Sequence, residues 1–84
     1  MGGERVQLNE AISRRIQELL TEKEMTPYRL YKMSGVPKST ISSVLNCVND
    51  SMQLRIIHEL CQGLNIGLEE FFSSPLFDEN NLEP

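Results

Sequence analysis

Apolar residues recur every three or four positions through most of the chain, and no stretch alternates in the manner of a β-strand. The first such stretch predicts a helix that begins after Asn9, because asparagine is a favourable N-cap residue. The positions expected to face the core are Ile12, Ile16, Leu19 and Leu20. The charged positions expected to face solvent are Arg14, Arg15, Glu18 and Glu22.

Two shorter helices are predicted on either side of a glycine. Thr26 is placed to cap the first of them, and Pro27 suits its first turn because a proline there sacrifices no hydrogen bond. This helix should extend over about 27–34 and end at Gly35. The next helix is predicted over 37–46. The core-facing residues of this part of the chain are Val36, Ile41, Val44 and Leu45.

The second half of the chain contains two further helical patterns. A long one spans about 52–64, and its apolar side chains predicted to be buried are Leu54, Ile57, Leu60, Cys61 and Leu64. A short one spans 68–72, with the side chains of Leu68, Phe71 and Phe72 directed inward. The pattern therefore predicts a compact all-α domain of five helices over 9–73, with a tail at 1–8 and an acidic tail at 74–84.

The third predicted helix carries an unusual polar face. Its polar residues recur at helical spacing, after a lysine at the start, and they are Lys38, Ser39, Ser42, Ser43 and Asn46. Serine is a mediocre helix former, so a property of this surface other than helix propensity accounts for the composition. Two short helices joined by a tight glycine turn are typical of a helix-turn-helix unit, whose second helix enters the major groove of DNA.

The distribution of charge supports an acidic partner for this region. The 84 residues have a net charge of −4, yet residues 26–46 contain Arg29, Lys32, Lys38 and no acidic residue. Most of the negative charge lies in residues 47–84, where one arginine stands against seven acidic residues. The middle of the chain is thus suited to a polyanion, and the acidic C-terminal half is a candidate surface for a basic protein partner.

The remaining residues narrow the class of protein. Cys47 and Cys61 are interpreted as free thiols of a cytoplasmic protein, and no apolar run approaches the length of a membrane span.

His58 and Cys61, with Cys47, are three candidate zinc ligands, whereas structural zinc normally takes four. We interpret His58 as half-buried and Cys61 as a core thiol. Without a nucleophile–base pair or a phosphate-binding glycine loop, we expect no enzyme, cofactor or metal.

A family resemblance makes this interpretation specific. The stretch "TPYRLYKMSGVPKSTISSVLN" resembles the helix-turn-helix of the lambda-repressor-like, or XRE-type, Cro/repressor family, and "LCQGLNIGLEEFF" is similar to the segment that follows it in that family. The resemblance covers 9–73. It implies a five-helix DNA-binding domain with the helix-turn-helix at helices 2 and 3. It also implies a transcriptional regulator that binds a double-stranded operator, usually as a homodimer.

The resemblance also implies roles for individual residues. The positions that match base-reading residues, or lie beside them, are Lys38, Ser39, Thr40, Ser42 and Ser43. The candidate phosphate contacts are Thr26, Pro27, Tyr28, Arg29, Lys32 and Asn46. Leu76 and Phe77, beyond the last helix, are interpreted either as a cap on the core or as a dimer interface.

Several positions depart from the family pattern. Cys47 stands where the family has a glycine, Tyr31 where it has an alanine, and the loop at 47–51 has no lysine or arginine. We therefore expect modest DNA affinity that depends strongly on salt and on dimerisation. An alternative function is that of an antitoxin-like or assembly protein, which would use the same fold for protein–protein interaction.

Overall fold

A computed structural model describes residues 5–48 and 52–83 of the chain. The helices are α1 (Leu8–Glu22), α2 (Pro27–Ser34), α3 (Lys38–Leu45), α4 (Leu54–Leu64) and α5 (Leu68–Phe72), followed by 3-10 turns at Pro75–Phe77 and Glu79–Asn81. The predicted order of five helices is confirmed, and so is the all-α fold with α2 and α3 as the helix-turn-helix. Within the described residues, the β-structure amounts to one isolated parallel bridge between Val6 and Leu82.

The ends of α2 follow from local chemistry. The Thr26 hydroxyl accepts a hydrogen bond from the backbone N–H of Arg29 at 3.1 Å, as a capping residue does. Gly35 ends the helix with φ +77°, the left-handed conformation that glycine adopts without steric cost. Pro37 lies at the cap position of α3 and Asn46 closes its other end, so this helix is one residue shorter at each end than predicted.

Three predictions about helix starts were wrong. Asn9 is buried within the first turn of α1, and Gln7 occupies the cap position. Leu54 is 69% exposed and Leu68 is 38% exposed, although both were expected in the core. Each leucine is the first residue of its helix. Because side chains tilt toward the N-terminus of their helix, the side chain of a first residue extends past the packed turns.

The helix-turn-helix packs closely against α4 through a glycine. A Cβ atom placed at Gly63 would lie 2.6 Å from the Cβ of Ser34, far inside van der Waals contact. The missing side chain thus lets the end of α2 approach the α4 backbone. The residues that form the buried core around this contact are Ile12, Ile16, Leu19, Leu20, Leu30, Val36, Ile41, Val44, Ile57, Leu60, Cys61, Leu64 and Phe71.

Arg15 is a core-edge residue and not the solvent-facing side chain that we predicted. Its side chain is 11% exposed. The Nε atom donates a hydrogen bond to the Phe71 carbonyl at 2.7 Å, and Nη2 donates to the Glu70 carbonyl at 2.8 Å. These carbonyls at the end of α5 have few intrahelical partners, so the guanidinium supplies donors that the short helix lacks.

The segments on either side of the five helices pack onto them. Phe77 lies against Phe71 and Phe72, with ring centroids 5.9 and 4.9 Å away. Val6 donates a hydrogen bond to the Asn81 carbonyl, and its own carbonyl accepts one from the Glu83 N–H, both at 2.9 Å. Residues near both ends of the chain are thus joined, and Phe77 contributes to the core.

Candidate nucleic-acid interface

The polar face of α3 lies at the surface. Lys38, Ser39, Ser42 and Asn46 are exposed, while Ile41 and Val44 on the opposite face are buried. Ser43, a further member of the predicted face, and Thr40, which was predicted beside the base-reading positions, are half-buried. The helix therefore presents hydroxyl groups to solvent and packs onto the core through β-branched side chains.

Neighbouring elements divide the polar face of α3 into two edges. On one side, a groove of about 370 Å³ separates α3 from the first turn of α2, and its polar lining includes Lys38, Ser42 and Asn46. We call these three residues the α2-side edge. The amide of Asn46 donates a hydrogen bond to the Ser42 hydroxyl at 3.2 Å, which links two of its members. The predicted ribbon of serines and asparagine is therefore not uniform.

The second edge faces the start of α4. A groove of about 280 Å³ lies between it and the residues that lead into α4, and its lining from α3 includes Ser39, Thr40 and Ser43. We call these three residues the α4-side edge. From the other side, the groove is lined by the apolar side chains of Met52 and Ile56. This edge carries hydroxyl groups and no charge.

Two lysine side chains lie against a pair of tyrosine rings on α2. The rings of Tyr28 and Tyr31 have centroids 5.9 Å apart. The Lys38 Nζ atom, from α3, lies 5.0 Å from the Tyr28 centroid and 5.2 Å from the Tyr31 centroid. The Lys32 Nζ atom lies 5.7 and 6.0 Å from the same two centroids. These distances are those of cation–π interactions.

The tyrosine–lysine cluster is only partly predictable from the sequence. Tyr28 and Lys32 are four residues apart on one helix, so their contact is readable from the sequence. The approach of Lys38 depends on the angle between α2 and α3, which no local pattern gives. Tyr31 was noted only as a departure from the family pattern, and the structure places it half-buried against the core.

The basic residues of the helix-turn-helix form no ion pair within the described part of the chain, although Glu24 lines one groove with Arg29 and Lys32. Ion pairs in the described part of the chain join Arg14 to Glu10, Arg15 to Glu18 and Arg55 to Glu59, all on α1 or α4. Among these residues no ion pair involves Arg29, Lys32 or Lys38. Since 26–46 contains no acidic residue, this surface presents positive charge to an approaching anion.

Side-chain hydrogen bonds from α1 hold the C-terminal end of α3. The hydroxyl of Ser13, buried on α1, donates to the Leu45 carbonyl at 2.8 Å and accepts from the Gln17 amide at 3.0 Å. The last turn of α3 is thereby tied to α1. Sequence reasoning missed Ser13, whose one visible signal is its place beside Ile12 on the apolar side of the helix.

Cys47 follows α3 in a left-handed conformation, with φ +55°. The family pattern implied a glycine at this position, and the backbone adopts the conformation that suits glycine although a cysteine stands there. The thiol donates a weak hydrogen bond to the Asn9 carbonyl at 3.9 Å. The cysteine therefore does not prevent the turn.

The candidate metal ligands Cys61 and His58 differ in their environments. Burial raises the pKa of the Cys61 thiol to about 11, against a smaller opposing effect of the Arg15 guanidinium. His58 is exposed and not half-buried as we predicted. Among residues 5–48 and 52–83 no three His, Cys, Asp or Glu side chains are grouped as metal ligands would be, and no helix there is long and apolar enough to cross a membrane.

The other predicted contact residues lie as follows. Thr26, Pro27 and Arg29 are exposed around the first turn of α2, beside Tyr28 and Lys32, and the Thr26 hydroxyl is engaged as the helix cap. Leu76 is half-buried, and Phe77 is packed with the aromatic rings of α5. The structure thus brings the predicted base and phosphate contacts together on α2 and α3.

Comparison with known proteins identifies the family. Residues 15–75 match the model of the Cro/C1-type HTH DNA-binding domain. The chain belongs to this family. Comparison with curated protein sequences gives no match.

Solved structures support the assignment of the Cro/C1-type fold. The chain is similar to prophage Lp1 protein 11, with a TM-score of 0.77 and 25% identity over 87% of this chain and 96% of that one. It is also similar to the wild-type restriction-modification controller protein C.Esp1396I, with a TM-score of 0.71 and 23% identity over 77% of this chain and 83% of that one. The latter likeness shows the fold alone.

A third similar structure contains DNA. It is the C.Esp1396I tetramer in complex with its natural 35 base-pair operator, and the TM-score is 0.76 with 21% identity over 90% of this chain and 96% of that one. At this identity the likeness again shows the fold. The helix-turn-helix of this chain is therefore that of a Cro/C1-type DNA-binding domain, with its polar residues arranged along two edges of α3.

Proposed function

We propose that this Cro/C1-type domain is a small transcriptional regulator that binds a double-stranded DNA operator by placing α3 in the major groove. The exposed hydroxyl face of α3, in a segment without acidic residues, is the observation that carries the proposal. Short hydroxyl side chains let the axis of a helix approach the base edges closely, where they donate or accept hydrogen bonds. The absence of carboxylates avoids repulsion from the phosphates.

The proposed contacts are of two kinds. The serine and threonine side chains that would meet base edges are Ser39, Thr40, Ser42 and Ser43. The residues that would meet backbone phosphates around them are Thr26, Pro27, Tyr28, Arg29, Lys32 and Asn46. Contacts of the second kind fix the register of the protein on the duplex, whereas contacts of the first kind carry the sequence information.

Selection of bound genomic fragments, followed by sequencing, would supply the operator for a direct test. We expect the double substitution Ser39→Ala and Ser43→Ala to weaken operator binding by about tenfold, because two hydrogen-bonding groups are lost from the groove. Ser73→Ala is the matched control, since Ser73 is an exposed serine outside the helix-turn-helix. Fluorescence anisotropy at fixed salt measures all three affinities.

The result that would contradict this function is equally concrete. If the wild-type protein retains no DNA fragment at low salt but captures a basic protein partner, the antitoxin-like or assembly function is the correct one. If an operator is found and the double serine variant binds it as tightly as Ser73→Ala does, α3 does not read the bases.

We further propose that the protein binds its operator as a homodimer. An α3 of eight residues reaches only a few base pairs, and two copies on two half-sites would add their contacts. Among the candidates for a dimer interface, Leu76 is the better one to test, because Phe77 is packed with Phe71 and Phe72. Leu76→Asp should lower the dimer fraction in sedimentation velocity, and Ser73→Asp, its charge-matched control, should not. Equal dimer fractions would reject Leu76 as an interface residue.

A further inference from the structure

The position of the Lys38 ammonium differs from the one that its place on α3 suggests. Helical spacing puts Lys38 at the head of the polar face, where the resemblance implies a base contact. In the structure its Nζ atom lies within 5.2 Å of both tyrosine centroids of α2. The side chain is thus directed toward α2, the helix that we expect to cross the DNA backbone.

The tyrosine pair draws two like charges to one place. Lys32 and Lys38 approach the same two rings, and no carboxylate pairs with either lysine among the described residues. The π faces of Tyr28 and Tyr31 offset part of the repulsion between the two ammonium groups. A bound anion would neutralise the remainder.

The groove beside this cluster has the chemistry of an anion site. Its floor is apolar, from Pro27, Ile41 and Leu45. Its rim contains the Tyr28 ring and three groups able to donate hydrogen bonds, from Lys38, Ser42 and Asn46, and the groove has no acidic residue. The groove of about 370 Å³ is open to solvent and lies between the first turn of α2 and α3. A phosphate of the DNA backbone is a suitable occupant, since it accepts several hydrogen bonds at once.

We infer that Lys38, held by Tyr28 and Tyr31, binds a phosphate of the DNA backbone at this groove, and that Lys38 therefore does not read a base. This inference rests on the proposed function. It assigns phosphate contacts and base contacts to different residues of α3. Lys38 and Asn46 of the α2-side edge would position the protein. Ser42, together with the α4-side edge, would carry the sequence specificity. The inference reassigns a residue that the sequence predicted as a base contact.

The affinity of Lys38→Ala for the selected operator and for single base-pair variants of it tests the assignment. A lost phosphate contact should weaken binding by a similar factor on every sequence. It should also reduce the slope of log affinity against log salt by about 0.9. Arg14→Ala is the control with the same change of net charge, because Arg14 lies on α1 outside the helix-turn-helix and its side chain is exposed. If Lys38→Ala instead abolishes discrimination at one base pair, Lys38 reads that base and the inference is wrong.

A double-mutant cycle tests the role of the tyrosines. Tyr31→Phe keeps the ring and should bind as the wild type does, whereas Tyr31→Leu removes it and should weaken binding by about two- to fivefold. In the Lys38→Ala background, Tyr31→Leu should have a smaller effect, limited to the contribution of Lys32, which approaches the same ring. Additive effects of the two substitutions would overturn the proposed coupling. Because Tyr31 is half-buried, a second cycle at the exposed Tyr28 compares Tyr28→Leu with Tyr28→Phe, so that the phosphate contact proposed for the Tyr28 hydroxyl is absent from both variants. Thermal unfolding checks that each variant folds.

The two proposals fail in different ways. A double serine variant that binds like Ser73→Ala would reject the placement of α3 in the groove. A weakened double serine variant, together with a Lys38→Ala protein that loses discrimination at one base pair, would reject only the phosphate assignment of Lys38.

Discussion

Single residues with positive φ angles mark helix ends in this protein. Glu24, Cys47 and Asn65 adopt this conformation at φ +52°, +55° and +62°, and Gly35 adopts it at +77°. Gly35 is the corner of the helix-turn-helix. A left-handed backbone costs a residue with a Cβ atom about 1 kcal/mol or more, so the corner depends on a glycine there.

Gly35→Ala should lower the free energy of unfolding by about 1 kcal/mol. A Cβ atom at this position would meet no atom within 4 Å, so the cost comes from the backbone alone. Gly67→Ala is the reference at an equally open position with a φ of −88°, where the backbone is unstrained and alanine costs only the weaker capping of α5. Urea unfolding of both variants measures the difference. Equal stabilities would show that the corner tolerates a side chain.

Arg15 shows how a residue expected at the surface stabilises the fold. Arg15→Ala should destabilise the protein by about 2 kcal/mol, because two carbonyls of α5 lose charge-assisted hydrogen bonds in a largely covered site. Arg14→Ala is the adjacent control, since its ion pair with Glu10 is solvent-exposed and contributes little. Thermal unfolding compares them. A loss of stability as small as that of Arg14→Ala would contradict this role for Arg15.

At the scale of elements, the sequence predicts best where the signals are local. The bounds of α2 are as predicted, because a threonine cap, a first-turn proline and a glycine stop lie within ten residues of one another. The exposure of Leu54 and Leu68 was not predictable in this way. It depends on whether another element covers the end of a helix, and periodicity alone does not contain that information.

In the candidate site too, the features set by local sequence were predicted and those set by helix packing were not. The spacing of the serines correctly indicates a polar, solvent-facing side of α3. The division into an α2-side edge and an α4-side edge arises from the packing of three helices, so it became visible only in the structure. The tyrosine–lysine cluster has the same origin, because Lys38 joins it across the turn between α2 and α3.

The contact between α2 and α4 gives a prediction at this scale. Alanine is normally the better helix residue, yet Gly63→Ala should destabilise the protein by about 1–3 kcal/mol, because its Cβ would overlap Ser34 at the end of α2. Gln62→Ala, at an exposed position of the same helix, is the control. Chemical unfolding measures both. A more stable Gly63→Ala protein would show that α2 and α4 separate without cost.

At the scale of the whole molecule, charge is distributed unevenly along the chain. The helix-turn-helix segment at 26–46 is free of acidic residues, whereas the chain as a whole has a net charge of −4. An acidic protein with a basic surface segment should approach DNA in a preferred orientation. The few basic contacts on α2 and α3 are consistent with the modest, salt-dependent affinity that we expect.

An NMR titration of isotope-labelled protein with the selected operator duplex tests the central claim most directly. We expect the largest changes in backbone amide shifts within 26–46, at α2 and α3. Changes in α5 and in residues 74–83 should be smaller and confined to residues at a dimer contact, such as Leu76. Shifts concentrated in α5 and the following turns, with those of α3 unchanged, would contradict the placement of α3 in the major groove.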